Sequence, residues 1–420
     1  MSFSNNISKL CLVEIFNSWA FDVMNNTNDK SWSLFDTSLR PIPKNGKRRL
    51  SELKSWRPIS VGTSENWILE KVFLSRLSPF LETSDCQFGY KEEHSAAHAI
   101  ELVRVLERGS DCHVCMLDTS SAFDTLSWYR IKDQLLKRNV PLYLVLLCLT
   151  QLSSNRISVC GTSFIYPRVG VKQGGVLSGR YFSLCYDELV SMLRKTGSGV
   201  LLLTFNKNFI LLQIIVYADD IVLISRSPNG LAELINVTLV FAQLYSDIKF
   251  NPNKSCILRL GKTNKLPVSV NGIPVAESHE YLGVPVGRKA DPSKHFATKL
   301  YTKTNIMIRE NRELGRCSTD VKNTVVKTYG NVFALETFLS VDSRLRQAHR
   351  YLTQTVHSDW RLHADLPGPN IRSRRLYVTY GLDSIEVLHR RRRNNFLIAA
   401  EASVNSIIRG VIGCLPRITV

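Results

Sequence analysis

The chain has no apolar run long enough to cross a bilayer. Its two most apolar stretches, Val140–Leu152 and Phe209–Ala218, fall short of the roughly 18 to 20 residues that a membrane helix needs, and they are expected to be core elements. A secretory leader is missing as well, because Met1–Leu10 is polar and has no charged segment followed by an apolar one. These absences predict an intracellular protein with no membrane partner. Cysteines at ligand spacing are scarce: Cys11, Cys86, Cys148, Cys160, Cys185, Cys256, Cys317 and Cys414 stand alone, and only Cys112 and Cys115 make a C-x-x-C pair. One pair does not complete a zinc site, so Cys112–Leu117 is read as a buried strand whose thiols act as small hydrophobes. Fixed-period repeats and low-complexity tracts are also lacking.

Acidic residues are few beside the basic ones, 36 Asp+Glu against 54 Lys+Arg, which gives a net charge of +18 and a pI near 9.5. Such a surplus calls for a polyanionic partner, either a nucleic acid or an acidic membrane face. Residues 286–420 hold 23 Lys+Arg and 11 Asp+Glu, a surplus of 12 that leaves only +6 for the longer front part. The remaining composition, 44% hydrophobic and 21% charged over 420 residues, is that of a globular protein with a substantial core.

Local patterns divide the chain. The basic segment Pro43–Arg49 predicts a loop or short hairpin ahead of Trp56. Thr63 or Ser64 can cap a helix with Ile68, Leu69, Val72, Phe73 and Leu77 at helical spacing, ended by Pro79, with Glu70 and Arg76 on the opposite face. A second helix is expected from about Ser95, with Ala96, Ala99, Ile100, Val103 and Leu106 on one face and Gly109 just past its end. Val114–Leu117 then reads as a strand ending in Asp118, followed by a helix beginning near Ala122. Ile214–Tyr217 and Ile221–Ile224 are strand-prone runs around Ala218-Asp219-Asp220, a hairpin with two carboxylates at its tip. Helices are expected over Ser293–Leu314 and Asp320–Leu339.

Carboxylates grouped at strand ends repel one another unless a cation neutralises them. Oxygen ligands completed by phosphate suit Mg²⁺, and two such ions about 4 Å apart stabilise the attacking and leaving oxygens of phosphoryl transfer. An Asp-Asp pair by itself is more often a solvated turn. Here apolar strands flank it on both sides.

Tyr217-Ala218-Asp219-Asp220 resembles the catalytic box of reverse transcriptases, and other segments agree in order. Leu117-Asp118-Thr119-Ser120-Ser121-Ala122-Phe123-Asp124 is similar to the first catalytic motif of that family. Gly170-Val171-Lys172-Gln173-Gly174-Gly175-Val176-Leu177-Ser178 is similar to the segment contacting template and incoming nucleotide. Trp56-Arg57-Pro58-Ile59-Ser60 and Gln87-Phe88-Gly89-Tyr90 resemble fingers motifs. Asn251-Pro252-Asn253-Lys254-Ser255 and Glu280-Tyr281-Leu282-Gly283 occupy the places of later palm motifs. The boxes span residues 40–285, about 60% of the chain, and their spelling is most similar to non-LTR (LINE-type) retrotransposon enzymes.

The resemblance implies an α+β fold, a right-hand polymerase with fingers, an antiparallel-sheet palm and a helical thumb. It implies an RNA-directed DNA polymerase that uses an RNA template, a DNA primer and dNTPs, with two Mg²⁺ ions or Mn²⁺ in their place. Asp118, Asp219 and Asp220 then correspond to the catalytic metal ligands. Arg57 corresponds to the fingers arginine that meets the triphosphate, although alone it reads as a surface residue. Phe123 takes the place of a ring that excludes a 2′-hydroxyl, its bland reading being core packing. Gln173 and Gly174 match positions near the nascent base pair, with Gly175 readable as turn chemistry. Lys254 corresponds to a lysine that protonates pyrophosphate, and Tyr281, Leu282 and Gly283 to the primer grip.

The implied organisation is an N-terminal extension over 1–39, fingers and palm over 40–285, a thumb-like region over 286–345 and a basic helical region over 346–420. Arg390-Arg391-Arg392-Arg393 reads as a template grip, a solvated patch or a nuclear-import signal, and a nuclear or cytoplasmic ribonucleoprotein is the expected location. Two positions depart from the family pattern: Gly179 stands where proline is common, and Ser121 where lysine is frequent. No endonuclease, Cys/His knuckle or ribonuclease H acidic cluster is evident, so the chain is expected to be the polymerase portion of an element. A non-catalytic RNA-binding relic and an intron maturase-like enzyme are the competing readings. Oligomeric state is not written in the motifs.

Overall fold

The computed structural model describes residues 18, 35–44, 51–52, 55–119, 122–159, 163–204, 206–245, 247–251, 254–261, 269–310, 317–334, 341–357 and 381–416. Most of the N-terminal extension, most of the basic turn, Ser120, Ser121, Pro252, Asn253, Cys11 and Cys160 lie outside them.

Strands β1 (Asp36–Pro43) and β2 (Trp56–Gly62) form an antiparallel pair, and helix α1 (Ser64–Leu77) follows, its first turn capped by the Thr63 hydroxyl accepting from the Asn66 amide. Helix α2 (Ala96–Gly109) leads into β3 (Cys112–Asp118). The single turn α3 (Ala122–Thr125), α4 (Trp128–Lys137) and α5 (Leu142–Ser153) come next, then β4 (Arg156–Val159) and β5 (Ser163–Ile165). After α6 (Ser178–Arg194), two hairpins follow, β6 (Val200–Leu203) with β7 (Phe209–Leu212), and β8 (Ile214–Tyr217) with β9 (Asp220–Ser225). Helix α7 (Pro228–Leu244) and strands β10 (Cys256–Leu260), β11 (Ser269–Val270), β12 (Ile273–Ala276), β13 (His279–Tyr281) and β14 (Val284–Val286) complete the sheets. Four helices follow: α8 (Pro292–Glu310), α9 (Thr319–Ala334), α10 (Ser343–His357) and α11 (Ile385–Glu401).

The main sheet runs β11-β12-β10-β3-β9-β8, antiparallel except where β10 meets β12. Its centre is β3, which is buried along almost its whole length because β9 and β10 flank it and helices cover it. A smaller sheet, β2-β1-β4-β5, stands beside it. This is the expected α+β right-hand architecture, a largely antiparallel palm sheet packed against helices, with a second sheet and a helical region attached.

Buried polar groups tie the helices together. Arg130 of α4 is almost fully enclosed by the rings of Tyr186, Phe241 and Tyr245 and pairs with Asp247 at 3.3 Å, so its charge is both neutralised and stacked. Cys112 and Cys115 are buried and free, as the strand reading expects. Two local expectations need correction. Glu70 does not lie on an open helix face; it is 2% exposed. Gly109 is the last residue of α2 rather than the residue past its end, the cap being Ser110.

The arginine run is split by packing. Arg393 is buried and reaches Glu101 of α2 at 3.2 Å, whereas Arg391 pairs with Asp383 at the surface. Arg393 is therefore unavailable as a grip or signal. Helix α11 docks on α2 through this pair and through the stacking of His98 on Phe396, with ring centroids 4.8 Å apart. Burial lowers the pKa of His98 to about 4, so protons bind it more readily in the unfolded chain. Its contribution is fully present above pH 6.5 and is lost as pH falls toward 4. A His98→Leu variant is expected to lose up to about 3 kcal/mol less over that interval than the parent, read by urea melts at pH 7 and pH 4.5. Equal acid sensitivity would place the acid lability elsewhere.

Candidate active site

The strand register sets the site. Asp118, the last residue of β3, lies directly opposite Asp220, the first of β9, so their side chains share one face. Tyr217 pairs with Asp220, which leaves a two-residue loop of Ala218 and Asp219. Asp220 is thus a strand residue and not part of the loop, as the spelling had suggested. Ala218 has φ 54°, a left-handed conformation that the tight turn imposes. The loop is supported from behind by residues 86–89. The Phe88 amide donates to the Val216 carbonyl, the Val216 amide to Cys86, and a Cβ at Gly89 would come within 2.4 Å of the Ala218 nitrogen. Only glycine allows that approach. Thr119 donates to the Asp219 carbonyl at 3.2 Å and holds the turn against the end of β3.

Asp118 is fixed through its backbone. Its amide donates to Ser255 Oγ, its carbonyl accepts from the Asn251 amide, and Ser255 Oγ donates to the Asn251 carbonyl. Lys254 Nζ then lies 3.1 Å from Asp118 Oδ2, half exposed. Burial, followed by the neighbouring charges of Asp219 and Asp118, pushes the Asp220 carboxyl up to about 7, with Lys254 opposing. Asp219 is raised by burial and by Asp118, and lowered by Lys254 and Arg57. Arg57 is exposed on β2, and its charge opposes the rise of the Asp219 carboxyl. The cleft, about 360 Å³, is lined by Asp118, Asp220, Lys254, His279, Glu280 and Tyr281 among others. Among the described residues, no three His, Cys, Asp or Glu side chains form a ready cage for a metal ion.

The loop ahead of α6 packs against α3 and β2. Phe123 stacks flat on Phe182 at 5.1 Å, and Gln173 Nε2 donates to Asp124 Oδ1 at 3.3 Å. The Gln173 carbonyl accepts from the Ser60 amide, and a Cβ at Gly174, where φ is 111°, would meet the Ser60 carbonyl at 2.8 Å. The close approach that this glycine permits is to β2. Sequence reasoning missed what anchors the loop. Glu70 pairs with Lys172 at 2.5 Å, accepts from the Val176 amide, and accepts from Gln151 Nε2 at 3.0 Å, so one buried carboxylate holds the loop at two points. A helical-face reading could not find it, because Glu70 falls beside apolar positions only when α5 covers that side. Lys172→Met leaves this charge buried and unpaired, and is expected to destabilise the fold by about 3 kcal/mol, measured by urea unfolding. A change under about 0.5 kcal/mol would mean that Gln151 and the Val176 amide suffice.

Tyr281 ends β13 and is buried, and Leu282 and Gly283 form the turn into β14, with φ 48° and 83°. Positive φ at both positions explains the glycine. The Gly283 carbonyl accepts from His295 Nε2 at 3.2 Å and Lys299 Nζ at 3.3 Å, pinning this turn to α8. The structure therefore gathers Asp118, Asp220, Lys254 and Tyr281 around one cleft with Asp219 at the adjoining turn, whereas Gln173 lines a separate cavity with Pro58, Ser60 and Asp124. The Leu282 and Gly283 turn is tied to the helical region through the Gly283 carbonyl.

Residues 42–286 match the family model described as reverse transcriptase (RNA-dependent DNA polymerase). The chain is similar to the Pol polyprotein of the type-2 retrotransposable element R2DM of Drosophila melanogaster, at 24% identity over 68% of this chain and 27% of the relative. It is similar to the Pol polyprotein of the type-1 element R2 of Popillia japonica, at 28% identity over 49% of this chain and 30% of the relative. Among solved structures, apo telomerase of Candida tropicalis aligns at 13% identity with a TM-score of 0.47, over 94% of this chain and 68% of that one. The chain spans less than a third of the length of the curated relatives it matches. With its family model covering more than half of its residues, the chain belongs to the reverse transcriptase family.

Proposed function

We propose that this chain is an RNA-directed DNA polymerase, the polymerase portion of a non-LTR retrotransposon protein, which adds deoxynucleotides to a primer 3′ end. The observation that carries this reading is the register that sets Asp118 opposite Asp220 with Asp219 at the adjoining turn. Two carboxylates raised by burial and by neighbouring carboxylate charge favour a partner of high positive charge. The donor set fits Mg²⁺, which is commonly held by one or two carboxylates together with substrate phosphates and water, and Mn²⁺ satisfies the same oxygens. Asp118, Asp219 and Asp220 would hold the ions. When bound, they lower the pKa of the primer hydroxyl and neutralise charge on the triphosphate.

The other residues position the reactants. Arg57 is open to solvent on β2, and its guanidinium would follow the triphosphate. Lys254, beside Asp118, sits where a proton can pass to departing pyrophosphate. Phe123 faces the sugar, and Gln173 and Gly174 hold the wall beside the nascent pair. The turn at Tyr281, Leu282 and Gly283 would hold the primer end, and its bonds to His295 and Lys299 couple it to the helices that we assign as thumb, residues 286–345. Residues 40–285 then form fingers and palm, and the basic surplus beyond them meets template and primer phosphates by shape and charge rather than sequence.

Primer extension on an RNA template, with Mg²⁺ and dNTPs, tests this reading. Extension by the parent and its loss in Asp118→Asn are the expected results. RNA binding by a folded parent that extends nothing would instead identify a non-catalytic relic.

A further inference from the structure

One half-exposed ring beside Phe123 has no part in the chemistry above. Tyr90 lies just past the segment that supports the carboxylate hairpin; it is 50% exposed, with φ at 56°. A bulky residue adopts this left-handed conformation only when its surroundings hold it there. Two contacts do so. Its ring meets Phe123 edge-on, with centroids 5.8 Å apart. It also lies against the first turn of α6 at Gly179, where a Cβ would come within 2.1 Å of the ring.

Glycine inside a helix carries an entropic cost, and Gly179 does not have the positive φ that would demand it. The ring of Tyr90 is what excludes a side chain there. One turn further along α6, Phe182 stacks on Phe123, and Tyr186 stacks on Phe182 at 4.3 Å. Four rings thus form a row along one helix face, and Tyr90 is its open end. Phe123 is held on one side by a buried ring and on the other by Tyr90 alone among these rings.

We propose that Tyr90, seated in the notch at Gly179, is a positioning residue for sugar selection: it fixes Phe123 where that ring excludes the 2′-hydroxyl of an incoming nucleoside triphosphate. The role rests on the reading of this cleft as a nucleotide site. It uses the ring and not the hydroxyl, so phenylalanine should serve as well as tyrosine. Gly179→Ala should act like loss of Tyr90, because the new methyl displaces the ring.

The test is equilibrium binding of dCTP and CTP to the full chain on an RNA template paired with a dideoxy-terminated DNA primer, which needs no chemistry. Tyr90→Phe should keep the parental ratio of affinities. Tyr90→Ala and Gly179→Ala should each reduce it about tenfold, and the double variant should fall no further than Tyr90→Ala. Thermal melts supply a second readout: Gly179→Ala should lower the melting temperature when Tyr90 is present and raise it in the Tyr90→Ala background. A parent that discriminates, with both single variants retaining its ratio or with losses that add, would overturn the role of Tyr90. A parent that binds neither nucleotide would overturn the nucleotide site, and the inference with it.

Discussion

Asp219→Ala is expected to lower primer extension about a thousandfold or more while leaving affinity for an RNA–DNA hybrid within about twofold. The separation follows from position. Asp219 occupies the tip of the β8–β9 turn with its carbonyl held by Thr119, and its side chain contributes negative charge to the cleft that we propose receives the triphosphate. On that proposal, removing the charge takes away an oxygen ligand and leaves the basic contacts to phosphate in place. The turn should survive, because Ala218 and Gly89 determine its shape and Asp219 does not carry the positive φ. Single-nucleotide extension and hybrid binding, measured on the same preparation, decide the matter. A parallel loss of both would mean that Asp219 holds the cleft together and has no distinct role in transfer. Asp220→Ala makes a useful contrast, since Asp220 is the first residue of β9 and pairs with both Asp118 and Tyr217.

Much of this site was readable in advance because its determinants are local. Runs such as Ile214–Tyr217 and Ile221–Ile224 around Ala218-Asp219-Asp220 can form little except a hairpin, although the register that makes Asp220 a strand residue opposite Asp118 was not in the spelling. The Leu282 and Gly283 turn came only with the family resemblance, and its left-handed backbone is seen in the structure. What escaped were contacts made by residues far apart in the chain. Glu70 and Lys172 meet across 102 positions, and Glu101 and Arg393 across 292. Each of these acids sits on a helix whose periodicity gives no sign that another element will cover its polar side. The arginine run misled for the same reason. Charge composition described it as solvated, and only the docking of α11 on α2 shows that one of its four members is a buried partner. Ser406 and Asn405, which bond to Asp85 just ahead of the segment supporting the carboxylate turn, carried no motif at all. The C-terminal part of the chain therefore contributes to the palm through contacts that a family motif, ending near residue 286, does not include.

Phe123→Ala is expected to raise the use of ribonucleotides relative to deoxynucleotides by roughly two orders of magnitude. A steric gate works by overlap, and a rigid ring held on Phe182 cannot retreat from a 2′-hydroxyl without breaking a stacked contact. Alanine removes the overlap and leaves a space that the sugar can enter. The same change costs stability, because a partly buried ring is lost from the row along α6; about 2 to 3 kcal/mol is expected, well short of unfolding a domain of this size. Phe123→Val separates the two effects. It retains part of the packing and opens part of the space, so selectivity should fall between parent and Phe123→Ala while stability recovers by about half. Competition between dCTP and CTP in single-nucleotide extension gives the ratio directly. If both variants keep the parental ratio and differ only in stability, Phe123 is a core residue and the sugar is selected elsewhere, with the Asp124 and Gln173 pair on the same wall the next group to test. If selectivity falls in step with the size of the side chain, the wall beside α6 selects by shape, and the row of rings is what keeps that shape.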